Sequence, residues 1–168
     1  MKPTLNQTLA EELIYMAEID QAMRAKAITD EATWDSSIDE ANALRLQEIV
    51  QTQGWPTITM VGAKASHAAW LLVQHAPSLG FMKYCLRLMK ALARGEVNPA
   101  NVAYLEDRVL VMEDKLQIYG TQFREGDDLC PYPIQDPEHM DERRANIGLS
   151  SFAENEARMR EIYDSPNP

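Results

Sequence analysis

The sequence predicts an all-α fold, a compact bundle of six to seven helices with a small β-hairpin or ordered loop near residues 116–134. Three observations predict it. Apolar residues recur at three-to-four spacing along most of the 168 positions. Helix start and stop signals built from Ser, Asn, Pro and Gly separate these stretches. One alanine-rich stretch near the middle is apolar nearly all round, as the buried centre of a bundle must be.

The elements follow in order. From Leu5 to about Ala27, Leu5, Leu9, Leu13, Met16 and Met23 form an amphipathic stripe, with Thr8 and Glu11 as a capping box. Ser37-Ile38-Asp39-Glu40 is a second capping box, opening a helix that carries Ile38, Ala41, Leu44 and Ile49 up to a stop at Gly54. Trp55-Pro56 forces extended backbone, since proline disfavours helix in the residue before it, and Thr57 to Gly62 reads as a loop. Ala63 to Ala76 is the expected central helix, ended by Pro77.

Phe81 to Arg94 sets an apolar face of Phe81, Tyr84, Cys85, Leu88 and Leu92 against the basic stripe Lys83, Arg87, Lys90 and Arg94, and Gly95 closes it. Asn98-Pro99 is an N-cap with proline at the first helical position, and the helix runs on through Met112. Gly120, Gly126, Pro131 and Pro133 then break the helical pattern over 116–134. Asp136-Pro137 starts a charged helix to Asn146, and Ser150 or Ser151 caps a last one to about Tyr163. No repeat or linker divides the chain. The expected organisation is one domain over 1–168: an N-terminal helix and connector over 1–37, a core over 38–163 and a frayed tail over 164–168.

Composition excludes several function classes. The formal charge of −10 and a pI near 4.7 repel phosphate backbones, so a nucleic-acid partner is not expected. The first residues lack an unbroken apolar run, and no later run approaches the roughly 20 residues of a membrane span. Two widely separated cysteines, Cys85 and Cys130, match neither a disulfide scaffold nor a metal-ligand spacing and fit a reducing cytoplasm. No dinucleotide or phosphate-loop fingerprint is present, so no cofactor is expected.

Chemistry is sought where polar residues conflict with burial. His67, Gln74 and His75 interrupt the apolar central stretch. At about 100° per residue, Gln74 returns to within about 20° of His67, while His75 is displaced by about 80°. His67 and Gln74 therefore share one groove wall with Trp70 and Leu71, a pocket-like mixture. The alternative is a pair of core histidines satisfied by carbonyls or a carboxylate. A metal held by the two histidines is not expected, because about 12 Å of helix separates them.

Of the pair Asp107-Arg108, one side chain should face inward. An inward Arg108 would clamp a carboxylate or phosphate; otherwise the pair serves an inter-helix salt bridge. In Tyr119-Gly120-Thr121-Gln122, glycine permits close backbone approach and Tyr119, Thr121 and Gln122 carry hydrogen-bonding groups, as in a ligand loop or equally in a hairpin turn.

Gly54-Trp55-Pro56, Val61-Gly62, the helix Ala69-Trp70-Leu71-Leu72-Val73-Gln74-His75-Ala76, Asp107-Arg108, Tyr119-Gly120-Thr121-Gln122, and Asp141-Glu142-Arg143-Arg144 with Gly148-Leu149 together resemble a bacterial family classed as a domain of unknown function. The resemblance covers about residues 38–155. It implies that these polar segments converge in space, and it supplies no reaction.

The expected function is a metal-independent hydrolase or lyase acting on a small polar molecule. His67 or His75 would be the general acid/base, with Arg108 and Gln122 among the substrate-holding residues. The alternatives are a non-catalytic acidic protein that binds a basic partner by charge complementarity, and a carrier of a small ligand.

Overall fold

Small side chains on the central helix set the packing distance of the N-terminal half. In the computed structural model, which describes residues 5–124 and 129–164, Ala65, Ala68 and Ala69 are buried along one side of that helix. Two compact units divide the chain, one up to Asn98 and one from Pro99 onward.

The first unit contains five α-helices among the described residues: α1 (Gln7–Thr29), α2 (Ser36–Gln53), α3 (Ile58–Val61), α4 (Ala63–Gln74) and α5 (Leu79–Ala91). Helix α4 packs on each of the other four and most extensively on α1. Leu72 and Val73 of α4 meet a core built from Leu9, Leu13 and Met23 of α1, Leu46 and Ile49 of α2, and Met82, Cys85 and Met89 of α5. Each such side chain contributes about 1.5–3 kcal/mol by leaving water.

The helix starts differ in detail from those the sequence predicts. Thr8 and Glu11 do not cap α1; Asn6 does, its side chain accepting from the Leu9 N–H at 3.2 Å while its own N–H donates to the Met60 carbonyl. Asp35, two residues before Ser37, caps α2 by accepting from both the N–H and the hydroxyl of Ser37. Asn6 and Asp35 precede the first helical residue with non-helical backbone, so each side-chain oxygen can reach an N–H of the first turn, whereas Thr8 and Ser37 already lie inside the helix. The expected loop 57–62 contains α3, capped by Thr57, and Glu96 accepts from the N–H and hydroxyl of Thr59. Helix α4 stops at Gln74, so His75 is its C-cap rather than part of its last turn. Gly54 ends α2 at φ +80°, as expected.

In the second unit, α6 (Pro99–Met112) is followed by an irregular segment carrying the expected hairpin, β1 (Phe123–Arg124) antiparallel to β2 (Cys130–Pro131), with Phe123 opposite Pro131. A parallel bridge joins Gln117 to Ile134. After a 3₁₀ turn come α7 (Met140–Asn146) and α8 (Phe152–Asp164), the latter started by a reciprocal capping box between Ser151 and Glu154. The fold is thus helical with one small hairpin, eight α-helices among the described residues. The tail expected to fray, apart from Asp164, lies outside them.

Polar side chains hold this second unit's irregular segment. Asp107, fully buried, accepts from the N–H groups of Ile118, Tyr119 and Thr121 and from the Thr121 hydroxyl, at 2.7 to 3.2 Å. Burial pushes its carboxyl upward, and these four donors work against that. Gln117, also fully buried, donates to the carbonyls of Gln122 and Tyr132 and accepts from the Gln122 N–H. Arg144 reaches the carbonyls of Ser150 and Tyr119, and Arg143 those of Ile118, Gln135 and Asp136. Gly120 has φ +65°, and a Cβ there would lie 2.8 Å from Met140 Sδ and 2.9 Å from the Phe152 ring.

Two outcomes follow. Asp107→Asn places an amide N–H against the Thr121 N–H, so denaturant unfolding should show a loss of about 2–3 kcal/mol. Cys85 is fully buried and its thiol is pushed up to about 12, so a thiol reagent at pH 8 should modify it only after unfolding.

Candidate functional site

On α1, position 20 belongs to the buried stripe of Leu13, Ala17 and Met23 but carries a carboxylate. Asp20 has no solvent exposure. Burial raises its carboxyl, and the His75 ring, the Gln21 amide and Arg24 together outweigh that and hold it below the ordinary carboxylate range. Its oxygens lie 3.0 and 3.1 Å from His75 Nδ1, accept from Gln21 Nε2 at 2.7 Å, and accept from Arg24 Nε at 3.2 Å.

Three helices place the cluster. Arg24 is one turn after Asp20 on α1, so both point the same way. Its Nη2 donates to Asp39 Oδ1, in the first turn of α2, at 2.7 Å, and its Nε lies 3.0 Å from His75 Nδ1, at the end of α4. Burial raises the Asp39 carboxyl; Arg24 works against this and the nearby Asp20 adds to it. Two carboxylates thus share one guanidinium, and Asp20 also meets the imidazole. The donor atoms of Asp20, Asp39 and His75 lie within 4.8 Å of one another, the geometry of a candidate metal centre.

Arg24 is the cluster residue that borders open space. A cavity of about 700 Å³ is lined by Arg24, Ala27, Ile28, Glu31 and Trp34. The Arg24 guanidinium lies 4.9 Å from the Trp34 ring, which is 47% exposed. Arg24 therefore has the carboxylates and His75 on one side and the cavity on the other. His75 is partly exposed, and its Nε2 makes no hydrogen bond among the described residues.

The residues singled out from sequence fall into separate groups. His75 is in the cluster. His67 is exposed, its ring 4.9 Å from that of Trp70, and it lines a different cavity, of about 200 Å³, with Glu18, Lys64 and Leu71. Gln74 does not line that cavity; it is buried, and its Oε1 meets no donor among the described residues. The shared wall expected of His67 and Gln74 is therefore not formed.

In the second unit Asp107, not Arg108, turns fully inward, and Arg108 is half-buried. The Tyr119 and Thr121 N–H groups and the Thr121 hydroxyl are taken by Asp107, and the Gln122 amide donates to Thr121 Oγ1 at 3.0 Å. These polar groups serve the loop itself.

Sequence reasoning missed Asp20, Arg24, Trp34 and the inward role of Asp39. One signal was present: the apolar stripe of the first helix skips from Met16 to Met23, and Asp20 fills the missing position.

No helix among the described residues is long and apolar enough to cross a membrane. No curated protein and no solved structure matches the chain. Residues 7–165 match a family of unknown function (DUF6624), and the chain belongs to that family.

Removing the Asp20 carboxylate takes the charged partner from His75 and one of two from Arg24, both largely away from water. Asp20→Ala should therefore lower stability by about 3 kcal/mol in chemical denaturation, more than Asp39→Ala, whose carboxylate has one charged partner.

Proposed function

We propose that this member of a family of unknown function is a small-molecule hydrolase or lyase in which His75 moves the proton and Asp20 holds it in place. The observation that carries this reading is the contact of His75 Nδ1 with a fully buried carboxylate at 3.0 Å. With the proton on Nδ1 and donated to Asp20, the Nε2 lone pair is the basic site, and Asp20 stabilises the imidazolium once Nε2 takes a proton. In hydrolysis that proton comes from the attacking water and passes on to the leaving group; in elimination it comes from carbon.

The cavity beside Arg24 and Trp34 supports a small-molecule substrate, since its volume lies in the usual range for such sites and it joins an aromatic surface to one cation. Arg24 replaces Arg108 and Gln122 as the proposed polar anchor. A cytoplasmic setting is supported by the unpaired state of both cysteines. The competing reading, an acidic protein that captures a basic partner, is favoured by the charge of −10.

A panel of ester, amide and hydroxy-acid substrates tests the reading. With any substrate turned over, His75→Gln should lower kcat/KM by about 10²–10⁴-fold, as loss of a general base does, while His67→Ala should stay within about twofold. Full activity in His75→Gln would refute it. Absence of turnover across the panel, with salt-sensitive binding of a basic protein, would favour the competing reading.

A further inference from the structure

The contacts around His75 Nδ1 cannot all be hydrogen bonds at once. The nitrogen faces two Asp20 oxygens, at 3.0 and 3.1 Å, and Arg24 Nε at 3.0 Å. If Nδ1 carries a proton, it donates to Asp20, and the Arg24 N–H facing it is left to Asp20 Oδ1, at 3.2 Å. If it carries a lone pair, it accepts from Arg24 but faces the carboxylate as acceptor against acceptor. A cation held jointly by the nitrogen and the carboxylate removes that second conflict.

The charges point the same way. Asp20 and Asp39 bring two negative charges and Arg24 brings one positive, so with a neutral imidazole the cluster keeps an excess of one negative charge, largely away from water. Arg24 Nε and Nη2 reach all three of the other residues, so the guanidinium occupies the place where those donors converge. It also has somewhere to go, because it borders the cavity and already lies against the Trp34 ring.

We propose that Asp20, Asp39 and His75 form a binding site for a divalent transition-metal ion, which enters as Arg24 swings into the cavity. One imidazole nitrogen with two carboxylates suits Zn²⁺ or Mn²⁺, whereas Ca²⁺ and Mg²⁺ prefer oxygen-only sets. The ion takes the lone pair of Nδ1, leaves the proton on Nε2 and so removes the base used in the proposed proton transfer. The site shares residues with that reading but does not rest on it, since binding is measured without substrate.

The test is isothermal titration of the chelator-treated full chain with Zn²⁺ and with Mn²⁺. One ion per chain is expected for at least one of the two metals, weakened at least about tenfold in Asp39→Asn and in His75→Gln and unchanged in His67→Gln. Arg24→Gln should bind roughly tenfold more tightly, because the competing guanidinium is gone; an adventitious surface site would not respond to this change. Should the Arg24 variant fail to fold, ¹⁵N spectra of the wild-type imidazoles with Zn²⁺ decide: one ring must shift at Nδ1 while keeping its proton on Nε2. No binding of either metal, binding indifferent to His75 and Asp39, unchanged affinity in folded Arg24→Gln, or unshifted rings would each overturn the proposal.

Discussion

A carboxylate withdrawn from water costs several kcal/mol unless donors surround it, and each unit of this chain closes around one such group. In the second unit it is Asp107, whose two oxygens collect three backbone N–H groups and a hydroxyl from the segment after α6. That segment has almost no regular structure to satisfy its peptide groups, so Gln117, Arg143 and Arg144 complete the work on its carbonyls. Buried polar side chains thus replace a sheet ladder, and the two-residue strands β1 and β2 can be as short as they are.

In the first unit the same constraint acts on Asp20 with a different result. The donors around it are side chains, not peptide groups, and they come from two helices: Gln21 and Arg24 on α1 and His75 at the end of α4. Side chains can titrate, rotate and exchange partners where backbone N–H groups cannot. A carboxylate satisfied by backbone is a strut; one satisfied by an imidazole and a guanidinium beside a cavity is equipped for chemistry. This difference, more than any motif, separates the candidate site from the polar cluster of the second unit.

His75 sits at the very end of α4: it keeps right-handed helical backbone and an N–H bond to the Leu71 carbonyl, and from that position on the helical spiral its ring reaches Asp20 of α1. The extensive packing of α1 on α4, with Ala68 beside Ala17, then brings Asp20 within reach. Packing of small apolar residues therefore sets the geometry of a charged site several residues away.

The helical class, the order of the elements apart from α3, Gly54 as a stop and α4 as the buried centre were legible in the sequence, because periodicity and capping are local properties. The hairpin near residue 123 was visible in its turn residues. Helix starts were less so, since Asn6 and Asp35 compete with nearby Thr8 and Ser37, and backbone conformation decides between them. The sequence by itself showed polar residues interrupting the apolar central stretch at His67, Gln74 and His75, and one of Asp107 and Arg108 turning inward without saying which. Only the tertiary structure decided what they meet: Asp20, Arg24 and Asp39 lie 55, 51 and 36 residues from His75, and such pairings arise from the packing of α1, α2 and α4, which no local pattern encodes.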